Sequence, residues 1–192
     1  MLKKAIDFIV KELKATIEAD PGTVAMDVAP ENISRLDTNT DAGSDDIRHK
    51  VIITLVNVEE EKTLKNNSNY IREGDVLKKI RPILFLNLYL LFSCAEKDYS
   101  LALGRISRIV HFIQKKNVFV AGSTLTPLPA EIDKLIFEFC TLTFEQQNHL
   151  WGMLGGKQLP SVMYKVRLIA VQDLDGQVSS VVKSLHLNDT EN

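Results

Sequence analysis

Residues 51–58 read VIITLVNV and residues 81–92 read RPILFLNLYLLF, and these two runs decide the fold. The first is nearly continuous and β-branched, which predicts a central strand covered on both faces. It leaves the core at Glu59-Glu60-Glu61. The second is another long strand, and Pro82 suits a strand start, where one missing N–H is harmless. Lys134 to Cys140 (KLIFEFC) and Pro160 to Val171 (PSVMYKVRLIAV) extend the sheet, the latter with Val162, Tyr164, Val166 and Leu168 on one face. Val24, Met26 and Val28 alternate as a short strand, Val118 to Ala121 form another, and Val178 to Leu187 read as a further edge strand.

Helical spacing appears in three places. Leu2, Ile6, Ile9, Val10, Leu13 and Ile17 recur with Lys3, Lys4, Asp7, Lys11, Lys14 and Glu18 between them, an amphipathic helix ended by Asp20-Pro21-Gly22. Ala102, Leu103, Ile106, Ile109, Val110 and Ile113 form a second. Thr143-Phe144-Glu145-Gln146 matches a capping box, so a third begins there and reaches Leu154, stopped by Gly155-Gly156. Asp37 to Asp46 is a polar loop, and Lys62 to Lys79 reads as a long polar connection. The fold class is therefore α+β: one domain, a mixed β-sheet flanked by about three helices over residues 1–182, with a polar C-terminal tail at 183–192.

The chain has 192 residues, 45% hydrophobic and 25% charged, an ordinary globular composition. Lys and Arg total 23 against 25 Asp and Glu, which argues against a nucleic-acid partner held through its phosphates. It argues equally against a polybasic membrane-surface protein. The longest uncharged run, Pro82 to Ala95, is short of the ~20 residues of a membrane helix. Asp7, Lys11, Glu12 and Lys14 interrupt any export signal at the start. Cys94 and Cys140 sit in apolar stretches and read as free thiols of a reducing compartment, so the sequons at Asn32, Asn66 and Asn188 carry no weight.

Motifs that carry chemistry fail one by one. Asp37-x-Asn39-x-Asp41 begins like a calcium loop, but Ala42 replaces the turn glycine and Arg48 the bidentate glutamate. Gly152-x-x-Gly155-Gly156-Lys157 hints at a phosphate loop, yet Gln158 follows the lysine and the helix comes before rather than after. His49, His111, His149 and His186 are scattered beyond metal-ligand spacing, and no nucleophile elbow exists. The expectation is therefore no enzyme, no metal and no cofactor. His111 reads as a helix boundary residue, and Trp151 as packed on the sheet with its N–H bonded to a backbone carbonyl. Glu59-Glu60-Glu61 could supply paired carboxylates, but a charge run at a strand end reads as a solvated turn or a docking patch.

Four stretches together carry a resemblance: residues 51–66 (VIITLVNVEEEKTLKN), 82–92 (PILFLNLYLLF), 99–112 and 150–167 (LWGMLGGKQLPSVMYKVR). In this order they resemble the cap, or tail-terminator, proteins of contractile phage-tail-like injection systems, a family first catalogued as a domain of unknown function. The resemblance runs from about Ile6 to Val182. It implies a phage tail-terminator-like fold and a structural role: a ring, a homohexamer like sixfold tail terminators, at the baseplate-distal end of a bacterial particle. The implied partners are further copies of the chain, the inner tube protein and the contractile sheath protein, with no membrane insertion. The implied location is the bacterial cytoplasm during assembly, then the particle. For such a ring subunit, Leu86, Leu88, Leu90, Trp151, Tyr164 and Val166 read most simply as core, and Glu59, Glu60, Glu61 and Arg167, charged at or near strand positions, as the candidate subunit or partner contacts. Another tail-completion or connector protein on the same scaffold is the alternative, and a small-molecule-binding enzyme the third class.

Overall fold

The computed structural model describes residues 1–19, 26–37, 49–61, 70–73, 76–79 and 85–170. Along the chain these form α1 (Leu2–Glu18), β1 (Val28–Pro30), a 3-10 turn (Ile33–Asp37), β2 (Val51–Glu60), β3 (Tyr70–Glu73) and β4 (Val76–Lys79). They continue with β5 (Phe85–Cys94), α2 (Tyr99–Lys115), β6 (Val118–Val120), β7 (Ile132–Phe139), α3 (Phe144–Met153) and β8 (Ser161–Ala170). Six strands make one sheet in the order β1-β2-β5-β8-β7-β6, while β3 and β4 pair separately as a hairpin. Only β1 runs parallel to its neighbour, so the sheet is mixed. The expected α+β architecture, with three helices, is what the described residues form.

β5 sits between β2 and β8 and pairs with both along its length. Its alternation divides the core. Leu88, Leu90, Phe92 and Cys94 point toward α1 and α2, into the larger cluster. Leu91 points to the opposite face, where Ile33, Ile52, Leu150, Trp151 and Met163 make a smaller one. A ladder of rings stitches the larger cluster together: Phe8 to Phe119 at 6.2 Å, Phe119 to Phe137 at 5.4 Å, Phe137 to Tyr164 at 6.2 Å and Tyr164 to Phe92 at 5.8 Å, all edge-on. Edge-on aromatic pairs add ~0.5–1.5 kcal/mol each beyond their burial. They join α1 to four strands.

Several local readings need correction. Lys62 to Lys79 is not a plain connection, because the β3–β4 hairpin lies within it. Four-residue strands are too short and too polar here to show period-2 patterning. β2 is covered on both faces only as far as Thr54, and it is exposed from Asn57 rather than from Glu59. A register shift between Leu55 and Asn57 bends it there, as a bulge does. Leu86 is half-buried, not core, whereas Leu88, Leu90, Tyr164 and Val166 are buried. Cys94 is buried and Cys140 half-buried, both free. His111 is exposed rather than at a boundary. The loop 38–46, the turn at Asp20-Pro21-Gly22, Val24, Pro82 and the edge strand at Val178 to Leu187 lie outside the described residues.

The opening helix is rotated from its reading. It buries Ala5, Phe8, Ile9, Glu12, Leu13 and Ile17, leaving Leu2, Ile6 and Val10 half-buried. Glu12 is 2% exposed. Its carboxylate accepts the N–H of Leu125 at 3.0 Å and both the N–H and Oγ1 of Thr126 at 2.8 Å, with Lys116 Nζ 3.9 Å away. One buried carboxylate thus pins the loop after β6 to α1. At the other end of the sheet, Glu96 (side chain 7% exposed) lies 2.6 Å from His49 Nδ1 and 2.9 Å from Arg105. This knot ties the start of β2 to α2. The His49 hydrogen bond, aided by the Lys97 N–H and the nearby positive charges, holds the Glu96 carboxyl below its ordinary 4.5.

Two predictions follow from these anchors. Glu12→Ala leaves three part-buried donors without their acceptor and should cost ~1–3 kcal/mol in a urea titration, less than the sum for fully buried groups. Lys4→Ala, which breaks the exposed Lys4–Glu131 pair, should stay within ~1 kcal/mol in the same urea titration. Ionised Glu96 is favoured by folding, so its contribution is complete above pH 4.5 and is lost as pH falls through its lowered value. The stability gap between wild type and Glu96→Gln should therefore shrink on acidification below about pH 4.5. A gap that stays constant down that range contradicts the assignment.

Candidate functional site

The sheet face opposite α1 and α2 is only partly roofed. α3 and the 3-10 turn cover one end, where Thr54 Oγ1 donates to the Glu31 carbonyl at 2.8 Å and accepts the Ile33 N–H. α3 begins as its sequence dictates: Thr143 accepts the Gln146 N–H, and the Gln146 side chain accepts the Thr143 N–H. It ends before Gly155 and Gly156, whose φ values of 109° and 81° suit glycine. Trp151, 5% exposed, packs onto the sheet as expected. Its N–H does not find the expected carbonyl; Nε1 has no hydrogen-bond partner among the described residues.

Beyond α3 the same face carries two polar rows running across four strands. Cross-strand register aligns Glu59, Asn87, Arg167 and Ile136 in one row, and Asn57, Tyr89, Lys165 and Glu138 in the next. Glu59 accepts from Tyr89 Oη at 2.9 Å and from Asn57 Nδ2 at 3.2 Å. That bond to Glu59, with burial, holds the Tyr89 phenol above its ordinary 10.0. Glu61 accepts from Asn87 at 3.1 Å and lies 3.9 Å from Lys165 Nζ. Arg167 pairs with Glu138 at 2.5 Å. Asn87 is 4% exposed, and its Oδ1 and the Nε of its cross-strand partner Arg167 are both buried without a hydrogen-bond partner among the described residues.

The four sequence candidates are thus partly gathered. Glu59, Glu61 and Arg167 share this face, whereas Glu60 pairs in register with Leu86 and points to the other side. Asn57, Asn87 and Tyr89 were missed. The signal was there, since a lone asparagine inside VIITLVNV or FLNLYLLF is a polar group in a strand otherwise fit for burial.

Between these rows and α3 lies an open groove of about 600 Å³, lined by Val56, Glu59, Tyr89, Leu142, Leu150 and Met153 among others. A smaller one of about 210 Å³ lies on the far side of α3, against Phe139, Cys140 and Met163. Burial pushes the thiols of Cys94 and Cys140 up, so both remain protonated rather than nucleophilic. Among the described residues no three His, Cys, Asp or Glu side chains could hold a metal ion, and no helix is long and apolar enough to cross a membrane. What this face offers is charge pairs, one buried and one exposed amide, and apolar grooves. Trp151→Ala should cost ~3–5 kcal/mol, as large-to-small core changes do. A melting point within a degree or two of wild type would place the indole outside the core.

Comparison with known proteins gives a consistent picture. The family model described as the Pvc16 N-terminal domain matches residues 5–184. No curated protein matches significantly. Among solved structures, the PVC sheath/tube terminator of an extracellular contractile injection system, in its extended state, is similar at a TM-score of 0.57 and 15% identity, over 97% of this chain and 65% of that one. The anti-feeding prophage cap, a tube-terminating cap, is similar at 0.59 and 15% identity, over 95% of this chain and 59% of that one. The chain therefore spans about three fifths to two thirds of the length of these cap and terminator chains, whose fold it shares.

Proposed function

The chain belongs to the Pvc16 N-terminal domain family, and from that premise we propose that it is a cap, the terminator of a bacterial contractile injection system. In this reading six copies form a ring at the baseplate-distal end of the particle. The ring closes the inner tube and holds the last sheath layer. The role is structural rather than enzymatic and uses no metal or cofactor. Assembly takes place in the cytoplasm, and the subunit then becomes part of the particle. Residues 1–182 are the cap domain and residues 183–192 a polar tail.

The observation that carries this reading is the fold, shared over nearly the whole chain with two tube-terminating proteins. Physics explains why such a subunit is required. Tube and sheath are stacks of head-to-tail contacts that do not close, so each added ring exposes a new binding surface. Growth ends cleanly when something covers that surface without recreating it. The half-roofed sheet face suits this task, with Glu59 and Arg167 in its polar rows and Glu61 beside them as contact residues, and Glu60 as a contact on the opposite side.

Deletion of the gene is the test. Tube and sheath subunits should still be made, while particles become irregular in length, contract prematurely or fail to form. Particles of normal length that contract on cue would refute the terminator role, and a cap layer of other than sixfold symmetry would refute the ring.

A further inference from the structure

Two helices show solvent a face that the protomer does not explain. α2 buries Ala102, Ile106, Ile109, Phe112 and Ile113 against the sheet. Helical spacing therefore turns Gly104, Ser107 and His111 outward, flanked by Leu101 and Leu103, which are 41% and 44% exposed. Glycine is the most costly helix-interior residue after proline. Yet a Cβ at Gly104 would meet nothing within 4 Å among the described residues beyond its own helix backbone. α3 repeats the pattern. It buries Leu150 and Trp151, turns Glu145, Asn148 and Gly152 outward, and leaves Phe144 and Met153 at 92% and 74% exposed. A Cβ at Gly152 would also meet nothing within 4 Å.

The two faces are complementary in charge. Apart from Arg105, which is tied to Glu96, α2 carries Arg108 and Lys115 and no Asp or Glu, whereas Glu145 is the one Asp, Glu, Lys or Arg of α3. Spacing agrees as well. Gly104 to His111 and Gly152 to Glu145 are each seven residues, roughly 10 Å along a helix axis. An antiparallel crossing at the two glycines therefore sets His111, with Lys115 one turn beyond, opposite Glu145. Within one copy this contact is impossible, because α2 and α3 lie on opposite faces of the sheet.

We propose that copies of this chain meet head to tail, the outward face of α2 in one lying antiparallel across the outward face of α3 in the next. The inference rests on the ring reading above and deepens it, since a heterologous contact of two unlike surfaces is what closes a ring. The close approach allowed by Gly104 and Gly152 lets Met153 of one copy bury against Leu101 and Leu103 of the next.

The test uses assembled wild-type rings as reference. Gly104→Leu and Gly152→Leu should fold normally by circular dichroism and melting, since nothing in the protomer crowds either site. Each should weaken ring assembly at least tenfold in sedimentation. Glu145→Lys should weaken it too, and the triple variant with His111→Glu and Lys115→Glu should restore it. In a Cys140→Ala background, Ser107→Cys and Asn148→Cys chains should form a disulfide-linked heterodimer only when mixed. Wild-type rings that tolerate both leucines and give no heterodimer would overturn this contact and leave the ring reading standing. A wild-type chain that never forms rings, free or on tubes, and gives no heterodimer would overturn both.

Discussion

The structure depends on β5 being threaded between β2 and β8 and paired with both along its whole length. A strand so placed has no free edge, so its side-chain alternation dictates what each face of the sheet can be. Leu88, Leu90, Phe92 and Cys94 demand cover from one side along the full strand, and α1 and α2 supply it. On the other side the demand stops halfway: Leu91 needs a roof, while Tyr89 and Asn87 can reach partners across the strands. A one-residue slip would put Asn87 into the main core and Leu88 into the polar row. Register and function are therefore set by the same constraint.

The elements that are not strands are held by a few strong anchors rather than by many weak ones. Phe119, on the short edge strand β6, touches Phe8, Phe112 and Phe137, so one ring secures both long helices to the sheet. Glu12 does for the following loop what the rings do for the helices, by turning a buried carboxylate into a template for two backbone N–H groups. Removing a charge from water is costly, and here hydrogen bonds and the neighbouring Lys116 offset it.

The partly roofed face connects the fold to the proposed assembly. Its charges are largely neutralised within the protomer, Arg167 by Glu138 and Glu61 by Lys165, so the surface is neither sticky nor strongly repulsive alone. Pre-paired, well-oriented groups lose little entropy when a neighbour arrives, which suits a subunit that must dock in one orientation. The apolar residues left exposed lie mostly on helix surfaces and loops rather than on the outer strand edges, where they would invite uncontrolled strand pairing.

Much of this was legible in the chain itself. The helices, the Thr143–Gln146 capping box and the Gly155-Gly156 stop rest on interactions a few residues apart, and the four long strands, though paired with distant segments, show as apolar runs; local pattern records both. So does the family resemblance, because it too is a matter of order and spacing along the chain. The strand order, the single parallel pair at β1 and the bulge after Leu55 depend on which distant segments meet, and no periodicity encodes that. The same holds for Glu12: at helical spacing it reads as one more charge on a solvated face, and only the loop 113 residues away makes burial affordable. Likewise Glu59-Glu60-Glu61 is a single acidic run by sequence, but strand geometry sends Glu60 to the opposite side, because successive residues of a strand face opposite ways.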